Sequence, residues 1–157
     1  MCQRGFSLVE LIVVMAIMGI LFSIATLNWN EMQTKSAIES QIKTMHADLM
    51  EVRLQALYGK RARSVVISGQ VYKSYSSTVI TATPLETKHL RFPVVWNGGG
   101  ALTFDTQGLT NDEGSFCIQP TNENSAAVDS MVVSQARINL GKRRTGGVCD
   151  SDHIDQK

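Results

Sequence analysis

The chain has 157 residues, 43% of them hydrophobic, with 15 Lys and Arg against 14 Asp and Glu for a formal net charge of +1. That hydrophobic content excludes compositional disorder, and the near-neutral balance excludes a globally basic nucleic-acid binder while leaving local patches open. Its three cysteines, Cys2, Cys117 and Cys149, form no CxxC and no Cys/His cluster at ligand spacing, so no metal and no cofactor is expected.

From Phe6 to Leu27 the only charged residue is Glu10. At about 1.5 Å per residue, such a run is long enough for a hydrocarbon core of roughly 30 Å. Arg4 precedes it, so the positive-inside rule puts the first five residues in the cytoplasm and the remainder across the membrane. A secretory signal peptide is the competing reading, but the basic n-region is minimal and no A-x-A-like site closes the run. Gly19 interrupts the apolar stretch, as a place for local melting or for close packing through a small residue.

Helical character continues as polarity rises. Ile38, Ile42, Met45, Leu49, Val52 and Ala56 recur at alternating spacings of four and three, with Glu39, Lys43, Asp48 and Glu51 off that stripe. No proline occurs before Pro84, and Gly59 offers a stop. One helix over about 6–57, about 80 Å long by its rise, is therefore expected, apolar all round in its first half and amphipathic in its second. The second half must pack on something.

The remainder reads as β-rich. "RSVVIS" (63–68), "STVITAT" (77–83), "HLRFPVVW" (89–96), "ALTFD" (101–105), "SFCIQ" (115–119), "AAVDSMVVS" (126–134) and "ARINL" (136–140) are short runs rich in Val, Ile, Thr and aromatics. Turn signals separate them: "SGQ", "TP", "NGGG", "TQG", "TNDEG", "PTNEN" and "GKRRTGG". The expected class is α+β: a long N-terminal helix, then an antiparallel β-rich domain that covers its amphipathic half.

No catalytic constellation emerges, and no enzyme is expected. His46, His89 and His153 are isolated, no serine lies in a G-x-S-x-G elbow, and Asp112 and Glu113 read as solvated turn carboxylates. "NGGG" (97–100) lacks the lysine and helix of a phosphate loop and reads as a hairpin turn. Arg53, Lys60, Arg61 and Arg63 suit the negative end of the helix. Were a leader carrying Cys2 removed, two cysteines would remain. In an oxidising compartment Cys117 and Cys149 would pair; two unrelated buried thiols are the alternative.

The N-terminus is the most specific feature. A short leader with one basic residue ends in Gly5, Phe6 opens the apolar run, and Glu10 is its fifth residue. "RGFSLVELIVVMAIMGIL" resembles the class III signal of type IV pilins and type II secretion pseudopilins. The resemblance implies cleavage between Gly5 and Phe6 by a membrane-bound prepilin peptidase, with methylation of the new amino terminus. Cys2 and Arg4 would leave with the leader, taking the formal charge to zero. The chain then divides into a leader (1–5), a membrane or filament-core half-helix (6–28) and a periplasmic head (29–157), the head holding an amphipathic helix (29–58) and a β-rich part (63–157).

Processing would also supply Glu10 with a partner. A carboxylate at this depth must be paired or protonated. The new amine of Phe6 lies about 6 Å away along one helix, and an axially staggered neighbour would bring its own amine closer. Such a pair would set register between subunits. A glutamate snorkelling from the helix end is the plainer alternative.

Downstream, "LTFDTQG" and "RINLGKRRTGGVC" resemble the GspH/FimT class of minor pilins. Members that serve in DNA uptake carry a G-R-x-R motif, matched here by Gly141, Lys142, Arg143 and Arg144, with lysine at the first arginine position. Together with Arg137 these give four cations for phosphate contact, opposed by Asp150, Asp152 and Asp155; a solvated basic turn is the alternative. The expected role is a minor pilin or pseudopilin at the tip or in priming of a type IV pilus or secretion pseudopilus. Its expected partners are other pilins, the prepilin peptidase, the inner-membrane assembly platform and, in the alternative reading, DNA.

Overall fold

A computed structural model describes residues 7–119 and 124–157, with the backbone alone for 24–28. The Gly5–Phe6 junction lies outside the described residues, as does most of the turn expected at 120–124. The chain divides into two units, 1–34 and 35–157. Helix α1, Leu8–Gly59, begins in the first and ends in the second.

In the first unit Ser7 opens α1. Its hydroxyl accepts from the Val9 amide at 3.4 Å and its carbonyl accepts from the Leu11 amide at 3.2 Å. Every large apolar side chain from Leu8 to Phe22 is exposed, from 46% at Val14 to 75% at Leu8. Farther on, the Ser23 hydroxyl donates to the Gly19 carbonyl at 2.8 Å.

In the second unit the stripe expected from spacing is the buried face. Ile38, Ile42, Met45, Leu49, Val52 and Ala56 are all buried. They share one core with Val65, Tyr72, Leu102, Phe104, Phe116, Ile118, Met131 and Val133 from the sheet. Gln41 fastens the helix to the sheet from both of its amide atoms. Its Nε2 donates to the Phe92 carbonyl and its Oε1 accepts from the Phe92 amide, each at 2.8 Å. His46 Nε2 lies 3.1 Å from the Ile138 carbonyl, and Lys88 reaches Asp48 at 2.9 Å.

Among the described residues the sheet has seven antiparallel strands in the order β3-β1-β2-β4-β5-β6-β7. They are β1 Arg63–Tyr75, β2 Glu86–Trp96, β3 Leu102–Phe104, β4 Gly114–Ile118, β5 Ser130–Ser134, β6 Arg137–Arg143 and β7 Ile154–Gln156. Side chains alternate across it. Phe116 and Ile118 face the helix, while Cys117 between them joins Val132 and Ile154 in a second cluster.

Several expectations change. "SGQ" is no turn but runs within β1, with Gly69 at φ +58°, opposite a register shift in which residues 90–93 of β2 are accommodated between the Gly69–Val94 and Val71–His89 pairs. "STVITAT" forms no strand despite its β-branched residues. Ser77 accepts from the Val79 amide, Ala82 donates back to the Val79 carbonyl, and Val79 and Ile80 stay exposed without a strand partner. "NGGG" does not close a hairpin, because β2 and β3 flank β1 rather than each other. Gly141, Lys142 and Arg143 of the expected "GKRRTGG" turn are the end of β6, and β7 pairs with them.

The helix ends at Gly59, where the sequence reading puts its stop. The left-handed residue is Lys60, at φ +49°, not Gly59, and the Arg61 amide donates to the Ala56 carbonyl at 3.3 Å. That pattern is a Schellman closure with lysine in the position glycine favours. An L-residue in this region costs roughly 1–2 kcal/mol, against about 0.5–1 kcal/mol for glycine's extra chain entropy. Lys60→Gly should therefore raise the urea midpoint slightly, by up to about 1 kcal/mol of stability, with an unchanged denaturant slope.

Candidate functional site

Glu10 stands in the first turn of α1, exposed, three residues after the capping Ser7. A carboxylate there meets unpaired amides and the positive end of the helix dipole. The spacing Ser7-x-x-Glu10 is that of a capping box, a signal that the charge-based reading of Glu10 passed over. The amine it was expected to meet belongs to Phe6, outside the described residues. Glu10 is thus an acid placed where a helix start tolerates it, on a surface otherwise apolar on every side.

The basic segment of the head has a different character from a pliable loop. Asp129, 2% exposed, is its centre. One of its oxygens accepts from Lys142 Nζ at 2.8 Å and Asn124 Nδ2 at 2.9 Å. The other accepts from the Arg143 amide at 2.9 Å and the Ser130 hydroxyl at 2.8 Å. Lys142 also donates to the Asn124 carbonyl and side-chain oxygen. The Arg143 side chain is buried, with Nη2 at 3.4 Å from the Ile118 carbonyl and Nε unpaired among the described residues. Arg144 is exposed but held by Asp155 through Nη2 at 2.6 Å and Nε at 2.9 Å, and it donates to the Asp152 carbonyl. Arg137 is exposed at the start of β6.

The four cations named as candidates for phosphate contact are therefore not brought together. Lys142 faces an internal carboxylate, Arg143 lies inside, Arg144 fastens β6 to β7, and Arg137 stands at the far end of the strand. Two of the three acids counted only as opposing charge turn out to be assigned: Asp155 to Arg144, and Asp150 to the short 3-10 turn Ser151–His153, where it accepts from the Asp152 and His153 amides. Asp129 was missed as a site residue. Its signal was the one that marked Glu10, a single acid in an apolar run, here "AAVDSMVV".

Cys117 of β4 and Cys149 are joined by a disulfide, with Cα atoms 5.9 Å apart and a sequence separation of 32. The bridge pins the segment after β6 over the sheet face turned away from α1. Asn97 completes the clasp, donating to the Cys149 carbonyl through Nδ2 and accepting from the Ser115 amide at 2.6 Å.

Burial alone would push the Asp129 carboxyl up, but the bonds from Lys142, Arg143, Asn124 and Ser130 outweigh it and hold the acid below its ordinary value of 3.8. A folded-state value below the unfolded one gives stability that is complete above that ordinary value and is lost as pH falls through the lowered one. Acid titration of unfolding should show that loss below about pH 4. Asp129→Asn, which leaves Lys142 without its counter-ion, should cost about 3 kcal/mol at neutral pH and flatten that limb.

Residues 1–26 match the family model described as the prokaryotic N-terminal methylation motif. No curated protein sequence matches the chain. Two crystal structures of the type IV minor pilin FimU from Pseudomonas aeruginosa are similar in fold. One gives a TM-score of 0.56 at 21% identity, covering 71% of this chain and 92% of that one. The other crystal form gives 0.50 at 23% identity, covering 68% and 91%. The chain thus carries a match to the prokaryotic N-terminal methylation motif at residues 1–26 and, beyond it, a fold similar to that of a type IV minor pilin.

Proposed function

We propose that the chain is a structural subunit of a type IV pilus or of a type II secretion pseudopilus, acting at the tip or in priming. Its work is assembly, not catalysis. The observation that carries this reading is the exposed half of α1, where large apolar side chains from Leu8 to Phe22 surround the helix on every side. An apolar surface of that extent calls for a cover. A bilayer before assembly and neighbouring half-helices after it would supply that cover in turn.

In this reading the chain is cut between Gly5 and Phe6, methylated at Phe6, and held in the inner membrane by one span with its head in the periplasm. Among the described residues no helix is long and apolar enough to cross a membrane. The proposed span, 6–28, takes in residue 6 and the side chains of 24–28, which lie outside them. The prepilin peptidase, an inner-membrane assembly platform and other pilins are the partners this route requires. The proposal leaves DNA aside, because Lys142 and Arg144 already face Asp129 and Asp155 and Arg143 is buried.

Glu10 then serves assembly. Its carboxylate meets the amine of a neighbouring subunit's Phe6 and fixes the axial offset between them. Mass spectrometry of the mature protein should find a methylated Phe6 at its start and no residues 1–5. Glu10→Ala should be inserted and processed as before yet be depleted at least about tenfold from sheared filament fractions, the effect of losing a buried charge pair. Incorporation at the unaltered level would remove Glu10 from the mechanism, and an uncut N-terminus would remove the pilus reading itself.

A further inference from the structure

The head has an acidic notch between α1 and the beginning of β2. Asp48 and Glu51 come from the helix, Glu86 opens β2, and Tyr72 of β1 and Leu85 complete the wall of a cavity of about 100 Å³. That is room for about three waters. Lys88 is the cation already present, 2.9 Å from one Asp48 oxygen and 3.3 Å from one Glu86 oxygen. It stands 5.8 Å from the centre of the Tyr72 ring. Gln55 donates to one Glu51 oxygen at 2.9 Å. Asp48 and Glu86 thus share one ammonium while Glu51 bonds Gln55, and each of these contacts engages one oxygen of its carboxylate.

Tyr72 supplies the second observation. The residue is 1% exposed, and its buried hydroxyl has no hydrogen-bond partner among the described residues. Native proteins seldom leave such a group unpaired, so each instance needs an explanation. Burial first, and then the charges of Asp48, Glu86 and Glu51, push this phenol well above its ordinary range. The hydroxyl therefore lies within the field of the same carboxylates that line the notch.

We propose that this notch receives an arginine side chain from a partner protein, with the guanidinium on Glu51, Glu86, Asp48 and the Tyr72 hydroxyl. A metal ion fits less well. No group of three His, Cys, Asp or Glu among the described residues is placed to hold one, and Lys88 already bridges Asp48 and Glu86. A second ammonium would repeat the role of Lys88 at close range. A guanidinium spreads its charge over a plane and offers five donors, which suits several acceptors arrayed around one opening. The rim supplies the rest of the match: Leu85, 58% exposed, offers an apolar surface for the methylene stem.

The test uses the full-length protein in detergent micelles and three tripeptides, acetyl-Gly-X-Gly-amide with X as arginine, lysine or norleucine, followed by NMR titration. The arginine peptide should give saturable shifts at Tyr72, Glu51 and Glu86, the lysine peptide should bind several-fold more weakly, and the norleucine peptide should give none. Glu51→Gln with Glu86→Gln should weaken the arginine peptide about tenfold. Tyr72→Phe, which keeps the ring in the core, should weaken it about threefold. A notch that holds only water would show no arginine-dependent shift, and that result overturns the proposal. So does binding that these substitutions leave unchanged. The readout requires no filament, so it can fail while the assembly reading stands, and the reverse.

Discussion

The burial of Ile38, Ile42, Met45, Leu49, Val52 and Ala56 against the sheet is the contact on which the head depends. These six side chains occupy one face of α1 over five turns, and β1, β3, β4 and β5 each contribute residues that meet them. Remove the stripe and the helix-facing side of the sheet has no cover, since the opposite face carries a separate, smaller cluster. Polar groups on the flanks of the stripe then find fixed partners. Gln41 pairs with Phe92, His46 with Ile138, Asp48 with Lys88 and Arg53 with Gly108. The same helix therefore sets both the core and the acidic notch beside it.

The far face of the sheet is held by other means. A cluster of Cys117, Val132, Ile154 and Cys149 is too small to fix the segment after β6 by apolar burial alone. Charge and covalent linkage take over there: Asp129 gathers β6 through Lys142 and the Arg143 amide, Arg144 binds Asp155 across β6 and β7, and the disulfide ties Cys149 to β4. A segment that looked like a free basic loop is in this way a set of fasteners. Its charges are consumed locally, which leaves a nearly neutral surface where the sequence suggested a positive one.

The sequence disclosed what depends on periodicity. The stripe of α1 was legible because spacings of three and four admit one buried face, and six of the seven strand-like runs became strands because neighbours existed for them to pair with. The run at 77–83 shows the limit, since Val79 and Ile80 favour a strand only when another strand is beside them. Charges were the hardest part to read. Whether Lys142 meets a phosphate or Asp129 depends on β5 and β6 lying side by side, and no local signal in the chain conveys that pairing. Glu10 was recognisable from its setting, yet its place next to a capping Ser7 came from the helix geometry. Lys60 in the left-handed position was invisible, because the glycine before it already accounted for the helix stop.

The alternation along β4 gives the disulfide a second meaning. Phe116 and Ile118 face the helix and Cys117 faces the other way, so a slip of one residue in the pairing of β4 with β5 would turn the thiol into the core. Cys149 would then have nothing within reach. The bond can close only on a sheet already in its native register, and once closed it records that fact in covalent form. An oxidised head is a head that has been proofread.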